Sequence, residues 1–130
     1  MIKLNGQIVG FGHFPDGTTL MKQKISYDTY KSGASIEWFF ENNEELVVLI
    51  YLTKHLRENG VNYISLNLPY IPNARQDRVK NAEDVFTLKY FADIINYLNF
   101  NSVQVMDAHS YVSLALIDRV IPCTPDFYIN

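Results

Sequence analysis

Apolar and polar positions along the chain switch between two periods, and the switches outline its elements. Residues 1–11 alternate as a strand does, and a second strand is expected from about Thr19 to Ile25. Between them, "FPDG" at 14–17 is turn chemistry: Pro fixes φ, Asp bonds its own backbone, and Gly tolerates positive φ. A strand follows near Ser35–Phe40, with Trp38, Phe39 and Phe40 expected in the core. Asn42 or Asn43 then stands where it can cap a helix. The apolar positions Leu46, Leu49, Ile50, Thr53 and Leu56 of that helix recur at helical spacing, and Asn59-Gly60 stops it. "VNYISLNLPY" alternates again and reads as a strand ending at Pro69. Phe86, Leu88, Phe91, Ile94, Ile95 and Leu98 mark a second long helix; "SVQVMDAHS" is a short strand with a polar end, and "YVSLALIDRV" a further helix.

The order β-α-β-α-β-α predicts an α/β fold, a layered and mainly parallel sheet with right-handed crossovers. In such open sheets ligands sit beyond the carboxyl ends of the strands. Two polar segments begin at expected strand ends: "IPNARQDRVK" after Tyr70, and Asp107-Ala108-His109 after Val105. If those two strands are neighbours, Arg75 and Gln76 approach Asp107 and His109 from adjacent loops.

Composition narrows this picture. The chain has 130 residues, 48% of them hydrophobic and 19% charged, as in one ordinary globular domain. Eleven Lys and Arg against fourteen Asp and Glu give a net charge of -3, so the overall field favours neither nucleic acid nor an anionic membrane. Any anion must be held by a local cluster. The single cysteine, Cys123, allows no intrachain disulfide and lacks a visible partner for nucleophilic work. The strongly apolar run "LVVLIYL" at 46–52 is far short of the ~20 residues of a membrane helix, and the first residues carry no secretory pattern. A cytoplasmic location is expected.

"LPYIPNARQDR", the helix "TLKYFADIINYL" and "VQVMDAHS", with "FPDG" upstream, resemble in order and spacing the N-terminal half of ribose-phosphate pyrophosphokinases (phosphoribosyl diphosphate synthetases). The resemblance runs from about Phe14 to Asp118, and its most specific element is Ala74-Arg75-Gln76-Asp77-Arg78. It implies a phosphoribosyltransferase-like (Rossmann-like) fold and diphosphate transfer from ATP to the 1-hydroxyl of ribose 5-phosphate, with magnesium, releasing AMP. It also implies a homo-oligomer whose ATP site lies between subunits. Phe14 and Asp16 would contact adenine, and Arg75 and Gln76 the nucleotide. His109 would serve catalysis and help place Mg·ATP, and Asp107, His109 and Asp118 match metal-associated positions. Residues 1–130 then form the single ATP-binding N-terminal domain of a longer two-domain protein. The ribose 5-phosphate half is missing, and this piece alone should not complete the reaction.

The chain departs from that family at three places. Thr18 stands where an acidic residue is usual, Glu83 and Asp84 interrupt a stretch that is usually basic, and "SYVSLALID" replaces a glutamine-rich helix. These departures keep open a non-catalytic, synthetase-like regulatory subunit, or a phosphoribosyltransferase-fold interaction domain. A phosphoribosyltransferase making glycosidic bonds would need an acidic diphosphate-ribose loop, which the sequence lacks. Arg78 and Lys80 read as solvated charges, Asp77 as structural, and His13 and His55 receive no role.

Overall fold

The computed structural model describes residues 1–69, 81–105 and 116–122. The strand expected over 1–11 is two strands, β1 (Ile2–Leu4) and β2 (Gln7–Ile8), paired antiparallel with Lys3 opposite Ile8. Asn5 and Gly6 between them both have positive φ, 47° and 84°, which is the Asn-Gly signature of a two-residue hairpin. A second hairpin, β3 (Gly12–His13) and β4 (Thr19–Leu20), carries the FPDG turn at its tip. The strand expected to Ile25 therefore stops at Leu20, and a single turn of helix, α1 (Tyr27–Tyr30), follows.

From there the chain alternates as expected: β5 (Ala34–Trp38), α2 (Glu44–Glu58), β6 (Ile64–Leu68), α3 (Thr87–Tyr97), β7 (Ser102–Val105) and β8 (Val120–Pro122). The six-stranded sheet has the order β2-β1-β5-β6-β7-β8. β5 to β8 are parallel, and β1 joins antiparallel at their edge. Val120 belongs to β8, not to the helix expected over 111–120; the first part of that segment lies outside the described residues.

Strand alternation sorts the side chains onto two unlike faces. Ile36, Leu66 and Val103 lie in one register row, and with Trp38, Ile64, Leu68 and Val105 they are buried. Against this face pack Val48, Leu49, Leu52 and Leu56 of α2 and Leu88, Phe91, Ala92 and Ile95 of α3. Both helices fall on the same side because each right-handed crossover steps one strand further in the same direction. The opposite face carries Ser35, Ser65 and Ser102 in one row and Glu37, Asn67 and Gln104 in the next. Neither α2 nor α3 covers it. Phe39, expected in the core, is 38% exposed beside this face, with the Lys3 ammonium 5.8 Å from its ring centre.

One charged side chain is sunk in the apolar layer. Glu45, in the first turn of α2, is 3% exposed. Its Oε1 accepts hydrogen bonds from the Trp38 indole (3.4 Å) and the Glu41 N–H (2.7 Å), and its Oε2 pairs with the Met1 ammonium. Asn42 and Glu45 also close a reciprocal capping box: the Glu45 N–H donates to Asn42 Oδ1 (3.2 Å) and the Asn42 N–H to Glu45 Oε1 (3.3 Å). Burial pushes the Glu45 carboxyl up, but the ammonium, the two N–H groups and the indole together hold it below its ordinary 4.5.

Two outcomes follow from this packing. Because the folded Glu45 titrates below 4.5, its contribution to stability is complete above that pH and is lost as pH falls through the folded value. Glu45→Ala should therefore cost about 3 kcal/mol in urea unfolding at neutral pH, and the deficit should shrink in acid. Gly33 has φ +104°, and a Cβ there would stand 2.9 Å from the Tyr63 carbonyl oxygen. Gly33→Ala should lower stability by about 2 kcal/mol in the same assay, whereas Gly10→Ala, in open space, should not.

Candidate functional site

The carboxyl edge of the parallel sheet is where the two motif-bearing segments begin. Leu68 and Val105, the last residues of β6 and β7, are register partners. The chain thus leaves the sheet at two adjacent points, one leading to "PYIPNARQDRVK" and the other to "MDAHS". Arg75, Gln76, Asp107 and His109 themselves lie outside the described residues. The condition set by the sequence, that these strands be neighbours, is met.

The FPDG turn is docked near the same edge by α2, whose first turn follows Trp38 closely. His13 Nε2 donates to Glu44 Oε2 (2.6 Å), and Thr19 Oγ1 donates to the same oxygen (3.0 Å). Both strands of the hairpin are thereby clamped to the first turn of α2. Within the turn, the Phe14 N–H donates to the Thr18 carbonyl and the Gly17 N–H to the Phe14 carbonyl, each at 2.8 Å. Asp16 is fully exposed. Its Oδ1 accepts from the Thr18 hydroxyl (2.7 Å) and the Thr18 N–H (3.0 Å). These two bonds, the hydroxyl first, hold the carboxyl below its ordinary 3.8. Thr18 therefore organises the turn from within. Phe14 is 47% exposed at the tip, its ring available for stacking.

Beyond the hairpin the chain runs along the outer surface of α2. His55 Nε2 donates to the Gln23 carbonyl (2.7 Å), and its Nδ1 lies 3.4 Å from Asn59 Nδ2, so both ring nitrogens are engaged. An open pocket of about 460 Å³ lies between hairpin and helix, lined among others by Phe14, Met21, Lys22, Tyr51 and Leu52.

Asp118 lies elsewhere. It precedes β8, and its N–H donates to Asn96 Oδ1 (2.7 Å) in the last turn of α3. That places it at the amino edge of the parallel strands, across the sheet from the exits of β6 and β7. Among the described residues, no three of His, Cys, Asp and Glu stand close enough together to hold a metal ion.

His13, Glu44, Thr19 and His55 were not singled out by the sequence. Their partners are 25 to 32 residues away along the chain, and no local spacing announces such contacts. A Glu in the first helical turn near a possible cap was the one available hint.

No family model matches the chain. It is 35% identical to the ribose-phosphate pyrophosphokinase of Campylobacter jejuni over 68 residues, which are 52% of this chain and 22% of that protein. To the enzyme of the same name from Mycoplasma genitalium it is 27% identical over 121 residues, 90% of this chain and 35% of that protein. The crystal structure of phosphoribosylpyrophosphate synthetase from Mycobacterium smegmatis superposes with a TM-score of 0.74 at 16% identity, covering 94% of this chain and 41% of that one. The chain thus spans well under half the length of these relatives. The resemblance to ribose-phosphate pyrophosphokinases and the phosphoribosyltransferase-like α/β fold are both borne out.

Removing the Thr18 hydroxyl tests the geometry of the turn. Thr18→Val should move the Asp16 titration, followed by carboxyl carbon NMR, upward towards 3.8, because the hydroxyl that most lowers it is gone. An unmoved midpoint would show that the hydroxyl does not face Asp16.

Proposed function

We propose that residues 1–130 are the ATP-binding, N-terminal domain of a longer two-domain ribose-phosphate diphosphokinase, which transfers diphosphate from ATP to ribose 5-phosphate and releases AMP. The observation that carries this reading is the register pairing of Leu68 with Val105, which starts the Arg75–Gln76 and Asp107–His109 segments side by side at the carboxyl edge. In this reading Phe14 stacks on adenine and Asp16 accepts from it. Asp16 is suited to that role, because it is exposed on the turn and Thr18 fixes its orientation. Arg75 offers its planar fork to phosphate oxygens, and Gln76 bonds the nucleotide. His109 lies near the phosphates.

Magnesium would be held by Asp107, with His109 reaching it through water or phosphate, in keeping with the oxygen ligands this ion prefers. When bound, it would neutralise charge on the transferring group. Asp118 is left out of the set because it sits at the amino edge. The protein's own share is alignment: two segments that start from adjacent strand ends and a turn clamped to α2. The acceptor sugar would be bound by the second half of the longer protein, so the domain alone should not make AMP. A homo-oligomer and a cytoplasmic setting belong to the same reading.

A second reading, a non-catalytic subunit of such an assembly, is favoured by the Thr18–Asp16 bonds, which take up half of the turn's carboxylate within the turn. Thermal unfolding of the 130-residue chain with and without Mg·ATP tests nucleotide binding: Tm should rise with ligand concentration, and Arg75→Ala should remove the rise. In the two-domain protein the same substitution should reduce AMP release by about 100-fold or more. Binding without AMP release by the two-domain protein would favour the non-catalytic subunit, and an unchanged rate in Arg75→Ala would sink the site assignment.

A further inference from the structure

The pocket between the FPDG hairpin and α2 has a composition of its own. Two aromatic side chains line it and are about half exposed, Phe14 at 47% and Tyr51 at 51%, one from the hairpin and one from the middle of α2. Met21 and the fully buried Leu52 add apolar wall. At about 460 Å³ it lies within the size range of small-molecule sites. Exposed aromatic surface of this kind is costly to leave in water and is well matched by a flat ring.

One charged group sits on the lining. Lys22 makes no ion pair or hydrogen bond with another described residue, so its ammonium is available to a ligand. No carboxylate is among the lining residues. His55 also lines the pocket, but both its ring nitrogens are engaged, by the Gln23 carbonyl and by Asn59. Its part is to hold residues 21–23 against α2 and so keep the pocket's shape. The charge balance of the lining is therefore positive, in a chain whose net charge is -3.

We propose that this pocket binds a small planar aromatic anion, its ring against Phe14 and Tyr51 and its anionic group on Lys22. Phe14 would then be shared between this pocket and the adenine contact, so an occupant would modulate nucleotide binding at the turn. That coupling rests on the nucleotide role proposed for Phe14; the binding itself does not.

The experiment is calorimetric titration of the 130-residue chain with naphthalene-2-sulfonate, in the absence of magnesium and nucleotide. Expected is one site with a Kd on the order of 1 mM, about what a ligand of this size achieves. Lys22→Met and Tyr51→Ala, both at exposed positions, should each weaken binding about fivefold. The neutral naphthalene-2-methanol should bind Lys22→Met and the parent chain alike. Displacement of the sulfonate by magnesium-free AMP would assign the natural anion as a nucleotide phosphate, and retention would assign a smaller aromatic acid; both outcomes uphold the site. Absence of binding, or equal binding to both variants and the parent, would overturn it. Because this titration contains no Mg·ATP, its failure is distinguishable from failure of the nucleotide reading.

Discussion

The Glu45 carboxylate draws four separate segments of the chain onto one buried group. Through its two oxygens it ties the amino end of β1, the indole at the end of β5, the connection at 41–42 and the first turn of α2. Burying one charge is costly, and the cost is offset here by four donors: the Met1 ammonium, the Trp38 indole and the Glu41 and Asn42 N–H groups. The position of α2 follows from that node, and the hairpin follows from α2. Glu44, the neighbouring residue, faces outward and receives His13 and Thr19. Two consecutive acidic residues thus work on opposite sides of one helical turn, one holding the sheet and the other the turn that carries Phe14 and Asp16.

Most of the central architecture was legible in the sequence because it rests on local periodicity. β6, α3 and β7 fall where alternation and helical spacing put them, and α2 runs from near Asn43 to Asn59-Gly60 as its end signals require. The first strand was misread because alternation continues through Asn5-Gly6, and the turn signal was outweighed by the pattern on both sides of it. The buried face of α2 was only half anticipated: Val48 and Leu52 belong to it, and Leu46 and Ile50 lie at its margin. A buried glutamate disguises the stripe, since Glu45 reads as solvent-facing until its partners are seen. Phe39 was placed inside by its company, although strand alternation beyond Trp38 already pointed it to the other face.

The candidate site was legible to a different degree. Its segments could be placed at strand ends, but whether those ends adjoin is a matter of strand order, which depends on contacts between distant parts of the chain. The same holds for Asp118. By sequence it sits near the motif at 107–109, yet it belongs to the opposite edge because β8 begins after it. Closeness along the chain is a poor guide in a parallel sheet, where each crossover carries the chain from one edge to the other.

The unlike faces of the parallel strands also bear on how the sheet assembles. Strands buried on both sides are uniformly apolar, and slipping one of them by a residue exchanges like for like. Here a slip of β6 by one residue would bring Ser65 and Asn67 under α2 and α3 and turn Ile64, Leu66 and Leu68 out. The serine and amide rows therefore act as a proofreading device during folding. They make every one-residue shift in the pairing of β5, β6 and β7 expensive, because each such shift exchanges the two faces.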